Sequence, residues 1–511
     1  MIRVFIAEDE PPTLRRVKRM IEQADPVFTV VATAKDGEEA LTRLDAERCD
    51  VLFTDIRMPV MDGLKLMDAV RAKYPDCQIV ILSGHQEFDY AAHAIRAGAV
   101  DYLLKPVSQE DIDTLAKRLI TTHSLRERQR LTKQLSAVVN RSESGNRVPS
   151  ENEDAETRFS VCLFCAGPMA LSDAEELFME GTDWELNPPE ATLHNMEHGY
   201  QGFSWSFTGN NQAERILIYQ QPVMPSENVA LRLHARLQER SALPISCSCA
   251  VHGVQLSEIG LTITELRKAL LSSIVIGAGA FVVVPSNARE RKQIAPFDDH
   301  QTATTLAEWL QSGRFSTEGA YWRVLSARMA HERWTQQRIY SLFTDAITLM
   351  ESEKVATVKA QASRLVADAL STALSHNDLT VSLAGLAVLL NANEQPDTRQ
   401  QQLVAERVAK FLGNHYSEPI NNQTLGREFG YVPSYVSLLF RKEYGVSPAK
   451  YLTKLRLDTA KRLMRKQPDS LIRDVAAHVG FKSPHHFSHV FKKIEGIWPT
   501  EYPPAPSSDR R

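Results

Sequence analysis

Through residue 120 the chain alternates short apolar runs with amphipathic stretches: VFIAED then TLRRVKRMIEQ, FTVVATA then GEEALTRLDAE, VLFTD, QIVILSG then FDYAAHAIRAG, and DYLLKP then EDIDTLAKRL. This alternation of strand-like with helix-like segments predicts a parallel sheet covered by helices on both faces. In open sheets of this kind, chemistry gathers at the carboxyl ends of the strands. Four of the runs end on polar groups: Glu8 with Asp9, Asp55, Ser83 and Lys105. The fold would bring those ends to one edge.

Carboxylates converging on one point repel one another unless a divalent cation binds them. So few oxygen ligands leave open positions for water and phosphate, as Mg²⁺ prefers. The expectation is a Mg²⁺-dependent phosphate site with Asp55 as the nucleophile, since carboxylates can form acyl phosphates. Lys105 offers a positive charge to phosphoryl oxygens and Ser83 a hydroxyl. The turn after Asp55 can aim the Arg57 carbonyl at the metal, and Pro59 and Gly63 suit the tight path that follows. Lys105-Pro106 is a candidate cis peptide.

The segments EDE, TDIRMPVMDG, LSG and DYLLKP, in this order and spacing, resemble the receiver domain of two-component response regulators over residues 1–122. The resemblance implies a flavodoxin-like five-stranded sheet and Mg²⁺ held by Glu8, Asp9, Asp55 and the Arg57 carbonyl. It also implies phosphorylation of Asp55 by a sensor histidine kinase and a Ser83/Tyr102 switch. Phosphate would draw in Ser83, turn Tyr102 inward and remodel the face made by Phe88 to Ala97 and Tyr102, expected to be a homodimer contact once the protein is phosphorylated. Glu8 stands where Asp is commoner and Ser83 where Thr is commoner, and both keep the chemistry. A dehalogenase-type phosphatase also uses an Asp at a strand end, but it needs a second Asp two residues on, where this chain has Arg57.

At 511 residues the chain is too long for one core, and about three or four domains are expected. A linker over residues 123–157 begins as a polar helix, with Leu131, Leu135 and Val138 at helical spacing, and continues into the flexible NRSESGNRVPSENEDAE. Residues 158–295 read as mixed α/β and 296–400 as helical. They carry no GGDEF-like loop, Walker glycine run or metal-spaced histidine cluster, so the region is expected to be an interaction or dimerisation module and the protein not an enzyme. The arrangement is similar to the central region of large YesN-like response regulators, where a degenerate cyclase-like fold has been suspected.

Cys162 and Cys165, with Cys247 and Cys249, invite a zinc reading, but both pairs sit in strand-like runs, and three-residue spacing sends Cys162 and Cys165 to opposite faces. Buried reduced thiols are expected. Met1 to Ala7 is a short strand followed by Glu8, Asp9 and Glu10 rather than a secretory signal, so a cytoplasmic protein is expected. The uncharged run Ala269 to Pro285, broken by Gly277 and Gly279, falls short of the ~20 residues of a membrane helix. It reads as a helix end, a glycine turn and a strand, and no membrane partner is expected.

The net charge of -4 hides an asymmetry: residues 1–120 hold 16 Lys and Arg against 21 Asp and Glu, whereas residues 402–502 hold 16 against 9. The basic end also repeats itself. In TLGREFGYVPSYVSLLFRKEYGVSPAKY (Thr424 to Tyr451), Gly430, Phe440, Arg441, Lys442, Gly445, Pro448 and Tyr451 match Gly480, Phe491, Lys492, Lys493, Gly496, Pro499 and Tyr502 of the stretch from Asp474 to Tyr502. Each copy predicts a helix-turn-helix. Buried positions are expected at Val436, Leu439 and Phe440, then at Phe487, Val490 and Phe491. A helix entering the major groove keeps its other face polar for bases and phosphates. Ser434, Tyr435, Ser437, Leu438 and Arg441 are placed on the free face of the first reader, with Lys442 beside them. His485, His486, Ser488, His489 and Lys492 are placed on that of the second, with Lys493. A basic helix, Tyr451 to Lys466, would fix their separation.

This doubled pattern resembles the AraC/XylS-type DNA-binding domain over residues 401–503, with 504–511 a disordered tail. The resemblance implies double-stranded promoter DNA and RNA polymerase as partners. Leu438 and His489 stand where the family commonly has basic residues, so the target sequence does not transfer. His485 and His489 lack a third ligand nearby and are not read as a metal site. The sequence therefore points to a transcription regulator whose DNA binding is controlled by phosphorylation of Asp55. The alternative keeps the DNA reader but places control in a ligand or partner bound by the middle region, with the receiver not phosphorylated in practice.

Overall fold

A computed structural model describes residues 1–84, 98–141, 157–171, 184, 187–196, 202–211, 213–220, 226–285, 299–312, 319–350, 355–391, 398–420, 422–429, 431, 433–467, 470–481 and 484–502. The chain divides into two units, Met1–Leu135 and Ser136–Arg511. Among the described residues no helix is long and apolar enough to cross a membrane.

The first unit is built on five parallel strands: β1 (Ile2–Ala7), β2 (Phe28–Ala34), β3 (Val51–Asp55), β4 (Gln78–Ser83) and β5 (Asp101–Leu104), in the order β2-β1-β3-β4-β5. That is the flavodoxin-like order, whose reversal at β1 and β3 opens a crevice at the strand ends. Every residue of β3 and β4 is buried, which explains why their sequences show no polar alternation. Helices α1 (Pro11–Ala24), α2 (Gly37–Ala46) and α3 (Gly63–Lys73) cover the sheet, and two apolar clusters fill its faces. Asp36 and Asp62 cap α2 and α3 by accepting from the amides of Glu39 and Lys65. The helix α4 (Gln109–Arg141) is a single 33-residue element that passes residue 122 without a break. Leu131, Leu135 and Val138 all fall on it and are buried.

In the second unit β6 (Phe159–Ala166) is central to a sheet ordered β10-β9-β6-β8-β7, with α5 (Pro189–His194), β7 (Ser204–Thr208), β8 (Glu214–Gln220), α6 (Ser226–Glu239), β9 (Ile245–Val254), α7 (Ile259–Leu271) and β10 (Phe281–Val284) following in the chain. The first four strands form a ferredoxin-like β-α-β-β-α-β unit, and β10 is added parallel to β9. All six cysteines are free thiols. Cys162, Cys247 and Cys249 share one apolar cluster with α6, while Cys165 lies outside it, as strand alternation requires.

Five helices follow: α8 (His300–Gln311), α9 (Ala320–His331), α10 (Gln336–Leu349), α11 (Val355–Thr372) and α12 (His376–Asn391), packed around Trp322, Trp334 and Phe343. The buried Gln336 ties this bundle to the sheet, its amide donating to the carbonyls of Met169 (2.6 Å) and Leu370 (3.1 Å) and accepting from the amide of Met169 (3.1 Å).

The C-terminal region comprises α13 (Thr398–Asn414), α14 (Asn422–Phe429), α15 (Pro433–Tyr444), α16 (Pro448–Lys466), α17 (Ile472–His478) and α18 (Pro484–Glu495). It has two cores, one around Val408, Leu425, Leu439 and Phe440, the other around Val475, Phe487 and Phe491. The helix α16 serves both, through Leu452 and Leu457. Residues 503–511, which include the expected tail, lie outside the described residues.

Candidate functional site

At the carboxyl edge of the first sheet, Asp55 pairs in register with Leu82 and Ser83 with Leu104, so the ends of β3, β4 and β5 are level. Glu8 and Asp9 follow β1 directly. The turn after Asp55 is tight because α3 begins against the strand it has just left. The Gly63 amide donates to the Ile56 carbonyl at 2.9 Å, and Val60 takes a left-handed φ of 64°.

Carboxylate oxygens of Glu8, Asp9 and Asp55 lie within 4.8 Å of one another. Glu8 and Asp55 are buried, and Asp9 is the most exposed of the three. The Lys105 ammonium stands 2.7 Å from Asp55 Oδ2 and 2.7 Å from Glu8 Oε2, while the Ile56 amide donates to Asp55 Oδ1 at 2.7 Å. Burial pushes the Glu8 carboxyl above its ordinary value; Lys105 pulls it back, and the neighbouring Asp55 charge adds to the rise. Burial alone would lower the Lys105 ammonium, but its hydrogen bonds to Asp55 and Glu8 outweigh that and raise it. The three carboxylates offer a hard, oxygen-only donor set that fits a small divalent cation, with the Lys105 ammonium at its edge. Asp9, Arg57, Met58, Pro59 and Asp62 are among the residues lining an adjoining cleft of about 550 Å³.

Ser83 is buried at the end of β4, and its carbonyl accepts from the Lys105 amide at 2.7 Å. Tyr102 is half-buried against the α2–α3 face of the sheet. Lys105-Pro106 is cis. The face expected from Phe88 to Ala97 lies outside the described residues.

The repeat in the basic end is repeated in space. Gly445 and Gly496 take left-handed φ values of 73° and 80°, each amide closing the reader helix before it on Arg441 or Lys492. The rings of Phe440 and Tyr451 lie 5.3 Å apart at 73°, and those of Phe491 and Tyr502 lie 5.6 Å apart at 72°.

One placement needs correcting. Tyr435 does not lie on the free face of α15; it is buried in the first core, because it precedes Leu439 by one helical turn and so joins the apolar stripe. Ser437 and Leu438 are half-buried, and Leu438 packs against the same core. Arg441 pairs with Asp368 of α11 at 3.5 Å, and the exposed Lys442 donates to Gln401 at 3.0 Å. In α18 the Ser488 hydroxyl donates to the Pro484 carbonyl, and the exposed Lys492 stands 4.1 Å from the centre of the Trp498 ring. The side chains of Ser434, His485, His486, His489 and Lys493 lie outside the described residues.

Two residues escaped the sequence reading. Asp368 carried no signal, as a single acid on an amphipathic helix. Arg456 did: it sits one turn after Leu452 and one turn before Ala460, on the apolar stripe of α16, where a charge demands a partner.

Residues 4–117 match the family described as response regulator receiver domain, and residues 425–503 the family described as helix-turn-helix domain. An uncharacterized response regulatory protein of Staphylococcus epidermidis is 40% identical over 124 residues, 24% of this chain and 49% of that protein. The transcriptional regulatory protein HptR of Staphylococcus aureus is 35% identical over 122 residues, 24% of this chain and 48% of that protein. The chain thus spans about half the length of the curated relatives it matches. The solved REC domain of AraT, a response regulator from Geobacillus stearothermophilus, is 38% identical and has a TM-score of 0.24, with 25% of this chain and 98% of that one covered.

Proposed function

We propose that this chain, a response regulator by its receiver domain and bearing a helix-turn-helix domain at its other end, is a transcription factor whose DNA binding is controlled by phosphorylation of Asp55. The observation that carries the reading is the shared ammonium: Lys105 holds Asp55 and Glu8 together at 2.7 Å beside Asp9. A carboxylate of Asp55 attacks the phosphorus of a phosphohistidine on a sensor kinase. The O–P bond forms as the N–P bond breaks, and the electron pair returns to the imidazole. Lys105 then faces the negative phosphoryl oxygens instead of the carboxylate alone. Glu8, Asp9, Asp55 and the Arg57 carbonyl are the proposed holders of Mg²⁺, which when bound offsets the charge of carboxylates and phosphate together. Ser83 and Tyr102 are the proposed switch pair.

Supporting the output half are two helix-turn-helix cores joined by one helix, the basic balance of residues 402–502 and the relative named as a transcriptional regulatory protein. Double-stranded promoter DNA, RNA polymerase and a second copy of the phosphorylated chain are the proposed partners. The proposed location is the cytoplasm, and no catalysis beyond the receiver's own phosphate chemistry is assigned. Incubation with acetyl phosphate and Mg²⁺ should add one acid-labile phosphate by mass, and Asp55→Asn should abolish it. An Asp55→Asn protein that still gains the phosphate sinks the assignment. A wild type that gains none, yet binds DNA under control of a small ligand, would move control to the middle region.

A further inference from the structure

The reader helix α15 is held on two sides. Val436, Leu439 and Phe440 bury its apolar stripe in the first reader's own core with Val408 and Leu452. Arg441 lies across the helix from Val436 and Leu439 and to the side of Phe440: at 3.6 residues per turn it is rotated about 160° from Leu439, about 140° from Val436 and about 100° from Phe440. On that far side α15 packs against α11 and α12, and the Arg441 guanidinium meets Asp368 at 3.5 Å, with the two side chains 24% and 25% exposed. The other reader differs. Helix α18 packs on α17 and the turn Pro499–Glu501, and Lys492 stays exposed.

We propose that the α11–α12 pair is a docking surface for the first reader helix, and that this intramolecular contact competes with DNA for the same face. The proposal rests on the reading of residues 398–502 as a DNA-binding domain. A carboxylate and a backbone phosphate are alternative partners for one guanidinium, because both present paired oxygens to its planar donors. Asp368 therefore occupies on Arg441 the place a DNA phosphate would take. In the docked state the second reader can meet a duplex while the first cannot. Affinity for a two-site duplex is then reduced by the fraction of molecules in which α15 is docked.

The test uses the full-length, unphosphorylated chain and a duplex selected from random sequence with the wild type. Asp368→Asn should bind that duplex about twofold to fivefold more tightly, the range expected when a partly exposed ion pair that favours one of two states is removed. Asp368→Glu should bind as the wild type does. Asp345→Asn, which removes an exposed acid of α10 with the same change in net charge, should leave binding unchanged. Equal affinity of Asp368→Asn and wild type overturns the proposal, as does equal tightening by Asp345→Asn. Amide hydrogen exchange of α11 and α15, faster in Asp368→Asn than in wild type, reports the contact without reference to DNA; unchanged exchange also overturns docking. If no form of the chain, wild type included, binds any duplex with salt-dependent affinity, the DNA-binding reading fails and the competition with it, while exchange still tells whether the helices dock.

Discussion

A side-chain carbon on Gly63 would run into the carbonyl oxygen of Asp55, so the first residue of α3 and the last of β3 meet backbone to backbone. This contact folds the loop after the candidate nucleophile into a tight path and aims Arg57 at the cleft. Gly63→Ala should therefore push the Asp55 carbonyl out of line, abolish phosphate gain from acetyl phosphate and destabilise the receiver by on the order of 2 kcal/mol. Asp55→Asn should abolish phosphate gain with little change in the melting curve, because Lys105 keeps Glu8 as its counter-charge while the repulsion between Asp55 and Glu8 is relieved. Mass measurement and thermal unfolding on the two variants separate a shape effect from a chemical one. Wild-type phosphorylation in Gly63→Ala would contradict the account of the turn.

Lys105 is the cation that Asp55 and Glu8 share, with side-chain exposures of only 16%, 11% and 0% in that order. Taking away one partner of a buried pair leaves uncompensated charge, at about 3 kcal/mol. Lys105→Met should thus lower stability at neutral pH. If Glu8, Asp9 and Asp55 hold Mg²⁺ in the folded site, as proposed, the cation should restore more stability to the variant than it adds to the wild type. Urea denaturation with millimolar Mg²⁺ and with EDTA checks this. An equal effect of Mg²⁺ on both proteins would mean that the cation does not enter among these carboxylates.

His376 opens α12, half-buried, with Nδ1 buried and unpaired. Burial lowers its pKa from the ordinary 6.5. A proton there would also face the positive end of the helix dipole. The folded state binds the proton less well than the unfolded one, so the stability at stake is complete above the ordinary value and is lost as pH falls through it toward the lowered value. Between about pH 7 and about pH 5, the urea midpoint followed by tryptophan fluorescence should fall in the wild type. It should fall less in His376→Gln. Parallel pH profiles would rule His376 out as the cause.

Much of the first unit was legible because β3 and β4 are buried along their whole length and four of the five strands run into polar groups, a pattern that points to both the layer order and the edge that carries the candidate site. The repeat at the basic end was equally plain, since Gly445 and Gly496 must stand where a left-handed residue closes each reader helix. Tyr435 was misplaced because helical spacing alone leaves an aromatic at the border of the apolar stripe free to fall either way. The strand order of the middle sheet was hidden for another reason: antiparallel pairing of β6 with both β8 and β9 is set by contacts far apart in the chain. The meeting of Arg441 and Asp368, 73 residues apart, leaves no periodic trace at all.

Arg456 and Gly480 grip the same three residues of the chain. The Arg456 guanidinium, 8% exposed, donates to the carbonyls of Tyr416 (2.7 Å) and Glu418 (2.8 Å), and Gly480 lies so close to Ser417, at a φ of 87°, that a Cβ would fall 2.7 Å from its carbonyl oxygen. Tyr416 to Glu418 belong to the first helix-turn-helix unit, Gly480 to the second, and Arg456 to the helix that joins them. The separation of the two readers is thus held by a clamp as well as by the stiffness of α16. Successive major grooves on one side of a duplex present their centres about 10 bp apart, so a clamped pair should accept one spacing and reject others. Arg456→Lys keeps the charge, and with it the salt dependence that phosphate contacts set, but a single ammonium cannot reproduce the fork between two carbonyls. Binding to a duplex carrying both half-sites should weaken about tenfold, or about 1.4 kcal/mol, while binding to a single half-site changes little. Gly480→Ala should do the same through the Ser417 clash. Duplexes whose half-sites are separated by a graded series of spacers provide the measurement: the wild type should show one sharp optimum and both variants a broader one. An optimum equally sharp in all three proteins would show that α16 alone sets the spacing.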